Sequence, residues 1–445
     1  QQLESVMIKR LNMIYDKVLE QPAKYDFNIN KLGDREQLSP INGHLFVNDD
    51  ERIAFSSQMK NLNNQYRGPG SVPCFEKGGP REKLFFKAGK VKAAIVTCGG
   101  LCPGLNTVIK GLVKTLENTY QLTEILGIKY GYKGLTSKSL CLPIKLTGEL
   151  VDDFHVKGGT YLGSSRGNQD PVEMVDFLCK NAIDILFCIG GDGTLKGAKT
   201  IADEITRRDL KIAVVGIPKT IDNDISFVEK TFGFETSVEM ATKIISAAHC
   251  EAESAENGIG IVKLMGRDSG FIAASSSLAN SVVDICLIPE KEFQLEGESG
   301  LVASIRSKLD TNMHVVIVVA EGAGQNLFTS KEESRDESGN ILNNDIGVFL
   351  RDKLKALFKI EGRNVNIKYL DPSYFIRSVP PVATDAIFCY QLAEHAAHAG
   401  MAGKTNLVIG HWNNFFTHVP IELATSERKL LDLRSDLWRS LENNF

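Results

Sequence analysis

Between residues 91 and 409 the chain repeats one pattern that few architectures accept. Short runs of β-branched and other hydrophobic residues are apolar at successive positions rather than at every second one, and each ends in glycine or a polar residue. The runs fall at 93–98, 183–189, 212–217, 259–265, 315–320 and 407–409. A strand apolar on consecutive residues must be covered on both faces, which happens in a parallel sheet flanked by helices. Amphipathic stretches such as 105–116 and 171–181 lie between the runs. Alternation of strand and helix predicts an α/β fold of the doubly wound kind, whose ligands bind at the carboxyl ends of the strands. A length of 445 residues is enough for one large or two ordinary cores.

Residues 1–90 follow a different rhythm. Leu3, Met7, Leu11, Ile14 and Val18 recur at helical spacing and predict one amphipathic helix. A polar, turn-rich stretch follows, through Gly68-Pro69-Gly70 and Gly78-Gly79-Pro80. It has too little periodic apolar sequence for a core of its own, so it is expected to wrap the main body or a neighbouring subunit. Residues 325–344 are polar and charged and read as a surface loop.

The net charge of −4 offers no basic field for nucleic acid or anionic lipid, and no apolar run approaches the ~20 residues that span a bilayer. Neither nucleic acid nor a membrane is expected as a partner, and no secretory leader is expected. Nine scattered cysteines read as reduced thiols of a reducing compartment, the cytoplasm, with an organelle open as an alternative. Cys98 and Cys102 bracket Gly99-Gly100 and precede Pro103-Gly104, so they read as incidental to a turn rather than as metal ligands.

Three motifs carry chemistry. Thr97-Cys98-Gly99-Gly100-Leu101-Cys102-Pro103-Gly104-Leu105-Asn106 follows a strand and opens a helix, where glycine lets the backbone approach a phosphate and free N–H groups attract it. No Gly-Lys-Ser/Thr follows, so it is not a Walker loop. Ile189-Gly190-Gly191-Asp192-Gly193-Thr194 again ends a strand: its glycines admit a polyphosphate, and Asp192 can hold Mg2+ directly or through water. Pro218-Lys219-Thr220-Ile221-Asp222-Asn223-Asp224 places two carboxylates two residues apart. In an extended segment they would point the same way, one as base for an acceptor hydroxyl and the other to orient substrate or metal.

With these motifs the chain resembles the phosphofructokinase family from about residue 80 to 438. Further matches are Gly158-Gly159-Thr160-Tyr161-Leu162-Gly163-Ser164-Ser165-Arg166, Lys263-Leu264-Met265-Gly266-Arg267, Ala320-Glu321-Gly322 and Tyr374-Phe375-Ile376-Arg377. Within the family it is most similar to the long eukaryotic ATP enzymes, relatives of the pyrophosphate-dependent branch. The resemblance implies transfer of the γ-phosphoryl of Mg-ATP to the 1-hydroxyl of fructose 6-phosphate. It implies Asp222 as catalytic base, Asp224 orienting the hydroxyl, and Arg166 and Thr220 on the moving phosphoryl group. Gly99, Gly100, Gly191, Asp192, Gly193 and Thr194 would line the donor, with Asp192 on the metal. Met265, Gly266, Arg267 and Glu321 would meet the sugar, and Tyr374 and Arg377 its 6-phosphate.

Lys368 falls where the family has a basic residue given by the adjacent subunit, while a second such arginine would fall near Gly258. The resemblance also implies a homotetramer of two-domain subunits with the active site between the domains. The nucleotide domain would comprise 91–234 and 376–424, and the fructose 6-phosphate domain 235–375 and 425–445.

Two residues bear on the donor. Gly193 leaves room for the α-phosphate and adenosine of ATP where pyrophosphate enzymes place Asp, whereas Lys219 is typical of the pyrophosphate branch. Excluded volume decides more than an added cation, which favours ATP over the pyrophosphate alternative. A kinase acting on NAD or a lipid would share only the Gly-Gly-Asp-Gly-Thr motif. A regulatory subunit without catalysis should lack Asp222, Asp192 or Arg166, and all three are present.

Overall fold

The computed structural model describes residues 13–42, 45–65, 72–328 and 342–444. They form two compact units: Gln1–Thr220 with Ile225–Gly233 and Ser378–Arg428, and Ile221–Asp224 with Phe234–Arg377 and Lys429–Phe445.

The first unit is built on a nine-stranded sheet. Its order is Arg52–Ala54, Cys74–Lys77, Phe415–Pro420, Leu407–Trp412, Ala213–Pro218, Ile185–Gly190, Lys92–Thr97, Glu124–Ile128 and Ile144–Lys145. The five strands from Leu407–Trp412 to Glu124–Ile128 run parallel, and antiparallel strands close both edges. All six residues of Ile185–Gly190 and of Ala213–Pro218 are buried, as the unbroken apolar runs require. Their side chains alternate between two layers. Leu186, Cys188 and Val214 join Met174, Val175, Leu178, Ala198 and Ile201 of the Pro171–Lys180 and Asp192–Arg207 helices. Ile185 and Phe187 face the opposite way, so close to Gly400 of the Ala383–Met401 helix that a Cβ there would lie 2.9 Å and 3.2 Å from them.

The second unit has a four-stranded, all-parallel sheet in the order Ile285–Leu287, His314–Ala320, Gly258–Leu264, Asn366–Leu370. Ile259, Ile261, Val315, Ile317 and Val319 pack with Leu301, Ile305, Leu309, Leu350, Leu354 and Phe358 of the helices beside it.

The amino-terminal segment does more than wrap the body. Arg52–Ala54 and Cys74–Lys77 extend the large sheet, and Phe27, Phe55 and Phe75 pack with Phe227 and Trp412 at ring-centroid separations of 5.0–6.2 Å. The Trp412 indole donates to the Phe55 carbonyl at 2.7 Å. Of the expected helix, Ile14–Glu20 is helical with Val18 buried, and the earlier positions lie outside the described residues. In the 325–344 loop, Gln325–Leu327 is a 3-10 turn, and Gln325 ties the far end by hydrogen bonds with Asn344. Residues 329–341 lie outside the described residues.

A buried ionic cluster fastens this segment. Glu76, 3% exposed, lies 2.7 Å from Lys404 Nζ, 3.2 Å from Arg81 and 2.9 Å from His418 Nδ1, and Asp49 lies 3.0 Å from Arg81 and 3.2 Å from Lys404. Burial alone would raise the Glu76 carboxyl, but His418 and Lys404 outweigh it and hold it at about 2. Burial pushes His418 below its ordinary value, and at the more exposed rim Lys31 and Arg35 also pair with Asp49 and Arg52 with Glu76, so the two carboxylates are fully matched by cations. Glu76→Gln should therefore lower stability by about 3 kcal/mol or more, because it leaves buried cations uncompensated. The measurement is the denaturant midpoint at pH 7. A carboxyl depressed from 4.5 to about 2 stabilises the fold fully above pH 4.5 and loses that effect as pH falls towards 2, so the variant should also show a flatter acid limb.

Candidate functional site

In the first unit the chain leaves Lys92–Thr97 for Glu124–Ile128 on one side, then returns to Ile185–Gly190 on the other. The reversal makes a switch point at the carboxyl ends of Lys92–Thr97 and Ile185–Gly190, where the crossovers diverge and leave a crevice. The loops that open there are the two glycine motifs. Gly99 has φ +82°, and a Cβ on it would lie 3.3 Å from Lys219 Nζ. Lys219 enters from the end of the adjacent strand: its N–H donates to the Gly190 carbonyl at 2.9 Å and its ammonium to the Gly100 carbonyl at 2.8 Å. The ammonium of a residue only 6% exposed thus stands between the two loops.

Asp192 and Gly193 begin the 16-residue Asp192–Arg207 helix, whose free N–H groups and positive dipole end favour an anion. Asp192 Oδ2 lies 2.9 Å from Lys196 Nζ and 3.4 Å from Arg428. A Cβ on Gly193 would find nothing within 4 Å. Thr194 is buried, and its carbonyl accepts from the Tyr132 hydroxyl at 2.6 Å.

The loop carrying Arg166 is stitched to the first glycine motif. Gly99 N–H donates to the Ser165 carbonyl at 3.1 Å, and Thr97 Oγ1 to the Gly163 carbonyl at 2.7 Å. Asn106 donates to the Lys157 carbonyl at 3.0 Å and accepts from Tyr161 N–H at 2.7 Å. Arg166 is exposed at the end of this loop. Thr97 and Asn106 belong to the motif that was read for its glycines, and their positioning work went unseen. Their signal is a polar residue buried at a strand end or in a helix's first turn.

The second unit also gathers its motifs at carboxyl ends, here of three adjacent parallel strands. Met265, Gly266 and Arg267 follow Gly258–Leu264, Glu321 follows His314–Ala320, and Tyr374 and Arg377 follow Asn366–Leu370. Gly266 has φ +132°, and its carbonyl accepts from Gly322 N–H at 3.0 Å. Arg267 Nε lies 3.8 Å from Glu321 Oε1. Burial raises the Glu321 carboxyl, against the pull of Arg267 and Lys263. The Arg377 guanidinium stacks 4.7 Å over the Tyr374 ring, and Tyr374 is 76% exposed. The Asp222 carbonyl accepts from Ser269 Oγ at 3.1 Å, which ties the Asp222–Asp224 segment to the loop after Arg267.

One expectation changes. The segment with Asp222 and Asp224 is not extended, because Asn223 is left-handed with φ 52° and turns the chain between the carboxylates. Asn is among the few residues that tolerate that region, and the alternation rule for strands does not apply across it. Lys368 lies within its strand, opposite Gly260 and away from the carboxyl end, 3.4 Å from Glu251 of its own chain. At Gly258 a Cβ would fall 1.9 Å from the Ala252 carbonyl, so the strand start admits no side chain.

Among the described residues, no group of three or more His, Cys, Asp or Glu could hold a metal ion. The lone carboxylate Asp192 suits a cation that takes its remaining oxygens from a polyphosphate and water. Burial raises the Cys98 thiol and brings Cys188 to about 12, and Cys102 donates to the Phe232 carbonyl at 3.2 Å.

Several relatives are similar over nearly the whole chain. An ATP-dependent 6-phosphofructokinase of Borreliella burgdorferi is 46% identical over 94% of this chain and 95% of its own. One of Trypanosoma cruzi is 42% identical over 95% and 88%. The crystal structure of a pyrophosphate-dependent phosphofructokinase from Marinobacter aquaeolei shares the fold, with TM-score 0.65 and 18% identity over 78% of this chain and 88% of that one. The phosphofructokinase family model matches residues 92–400, a span that runs from the first parallel strand through every glycine loop and carboxylate motif described above. The chain belongs to the phosphofructokinase family.

Proposed function

We propose that this chain is an ATP-dependent 6-phosphofructokinase, which transfers the γ-phosphoryl of ATP to the 1-hydroxyl of fructose 6-phosphate. Its relation at 46% identity, over 94% of its length, to a protein of that name carries the reading. The open space at Gly193 supports the donor, since an α-phosphate and adenosine need volume beside the helix start.

In this reading the first unit holds the donor. Gly99, Gly100, Gly191 and Gly193 admit its phosphates, Thr194 lies in the first turn behind them, and Lys219 brings a cation to their oxygens. Asp192 would hold Mg2+, which neutralises charge on the β- and γ-phosphates. That role requires Asp192 to exchange Lys196 and Arg428 for the metal or to share them with the phosphates.

The second unit holds the acceptor. Arg267 and Glu321 take sugar hydroxyls beside Met265 and Gly266, and Tyr374 and Arg377 take the 6-phosphate. Lys368 reaches a neighbouring copy in a homotetramer.

As the 1-hydroxyl oxygen bonds to the γ-phosphorus, the bond from phosphorus to the bridging oxygen breaks and ADP leaves. Asp222 takes the hydroxyl proton, Asp224 orients that hydroxyl, and Arg166 and Thr220 stabilise the charge on the moving group. The chain passes from Thr220 on the donor unit to Asp222 on the acceptor unit with a single residue between them. The reduced thiols suit the cytoplasm.

Initial rates with fructose 6-phosphate, Mg2+ and either ATP or pyrophosphate test the proposal directly, and turnover with pyrophosphate alone would reverse the donor assignment. Asp222→Ala should reduce kcat about 10³-fold or more while KM for both substrates changes little, and near-normal turnover would remove it as the base. Gly193→Asp should raise KM for ATP about tenfold or more, through bulk and like charge, with a smaller effect on any pyrophosphate activity. An equal effect on both donors would contradict the volume argument.

A further inference from the structure

Lys263 has no part in the reading above, yet it touches the base of the acceptor site. The parallel pairing of Gly258–Leu264 with Asn366–Leu370 sets Val262 opposite Leu370, so the next positions, Lys263 and Asp371, fall side by side. The Lys263 side chain is 13% exposed, and its ammonium lies 2.8 Å from Asp371 Oδ2 and 2.9 Å from Asp345 Oδ2. Asp371 uses its other oxygen to accept from Ser373 N–H at 3.1 Å, and Ser373 opens the Ser373–Arg377 turn that carries Tyr374 and Arg377. Asp345 caps the Ile346–Ile360 helix through Val348 N–H at 3.0 Å and accepts from the Tyr369 hydroxyl at 3.1 Å. On its own strand Lys263 stands two residues before Met265, and its charge also acts on the Glu321 carboxyl.

We infer that Lys263 is a positioning residue for the sugar phosphate: through Asp371 it holds the Tyr374–Arg377 turn in register with the Met265–Arg267 loop. The inference rests on the proposed function, because it concerns the site assigned there to fructose 6-phosphate. Its physical basis is twofold. An ammonium shared between two carboxylates fixes where the Ser373–Arg377 turn begins. It also cancels negative charge that would otherwise face a phosphate dianion a few residues away. Removing Lys263 leaves Asp345 and Asp371 as neighbouring like charges and frees the turn that grips the phosphate. Binding of the phosphorylated sugar should then suffer before any step at the 1-hydroxyl does.

The test is steady-state kinetics on the 445-residue chain, with wild type first. Wild type that fails to phosphorylate fructose 6-phosphate would sink the proposed function, independently of Lys263. Given wild-type turnover, Lys263→Met should raise KM for fructose 6-phosphate about tenfold or more, with kcat within about threefold and KM for ATP unchanged. Lys263→Arg, which keeps the cation, should recover most of that loss. Asp345→Asn, which keeps the helix cap and breaks only the other arm, should leave KM for the sugar phosphate within about twofold even where the melting temperature falls. A second readout is protection against thermal unfolding by fructose 6-phosphate without nucleotide, which Lys263→Met should weaken and Asp345→Asn should not.

If Lys263→Met proves insoluble, Asp371→Asn carries the test. It keeps an acceptor for Ser373 but loses the ion pair, and should show the same selective rise in KM to a smaller degree. An unchanged KM for the sugar phosphate in Lys263→Met, equal rises for both substrates, or an Asp345→Asn variant as impaired as Lys263→Met would overturn the inference.

Discussion

The parallel ladder joining Lys92–Thr97, Ile185–Gly190 and Ala213–Pro218 determines where each glycine loop can begin, because these strands are paired residue for residue and end level with one another. Thr97 pairs with Ile189, and Gly190 with Pro218, so the next residues of all three chains emerge together. Helices cover both faces of such a sheet, which leaves the strand ends as the place where backbone N–H groups can meet a ligand. The same constraint acts in the second unit through Gly258–Leu264, whose two parallel neighbours carry Glu321 and the Tyr374–Arg377 turn at their carboxyl ends. Dense apolar packing keeps these ends from drifting, since strands buried on both faces cannot slip without exposing or misplacing their side chains.

Within that frame, charge is arranged to favour phosphate. A buried ammonium needs an acceptor, and Lys219 finds one in the Gly100 carbonyl, so the cation is held between the glycine loops. The first turn of Asp192–Arg207 offers N–H groups, and Gly193 offers empty space. Volume and charge sit at different places here: the ammonium is held at the Gly100 carbonyl, while the open space lies at Gly193. Under the proposed function the two features are compatible with one donor, so the cation alone says little about donor choice.

The six long apolar strands and the glycine loops could be read in the sequence because their physics is local, whereas Glu124–Ile128, Ile285–Leu287, Asn366–Leu370 and Phe415–Pro420 lie outside the runs named above. Six successive apolar residues, then glycine, announce a buried strand and its phosphate-sized turn without reference to any distant residue. Arg52–Ala54 and Cys74–Lys77 are only three and four residues long; they pair with each other, and Cys74–Lys77 joins the sheet through Phe415–Pro420, more than 300 positions away, so neither stands out in the sequence. The turn at Asn223 was misjudged for a related reason: spacing of two implies a common face only if the backbone is extended, and one left-handed residue cancels the inference. Lys263 and Asp371 are 108 positions apart (371 − 263), and only the register of a parallel ladder brings them together. Arg428, near Asp192, belongs to no motif, so its place could not be seen before the chain was folded.

Stability and chemistry are separated in the first unit by the order of its strands. Glu76 lies on Cys74–Lys77, four strand spacings from Ile185–Gly190 with Phe415–Pro420, Leu407–Trp412 and Ala213–Pro218 between them, a distance of roughly 19 Å at about 4.8 Å per strand. Lys404, its partner, precedes Leu407–Trp412 and so sits at the amino end of a parallel strand, whereas the glycine loops leave the carboxyl ends. The aromatic cluster of Phe27, Phe55, Phe75, Phe227 and Trp412 packs with the same amino-terminal segment. Damage to the ionic cluster therefore acts on the fraction of chains that are folded, and the folded remainder keeps its glycine loops in place. Lys219 is the opposite case: its ammonium donates to the Gly100 carbonyl inside a glycine loop, so altering it should act on that loop directly.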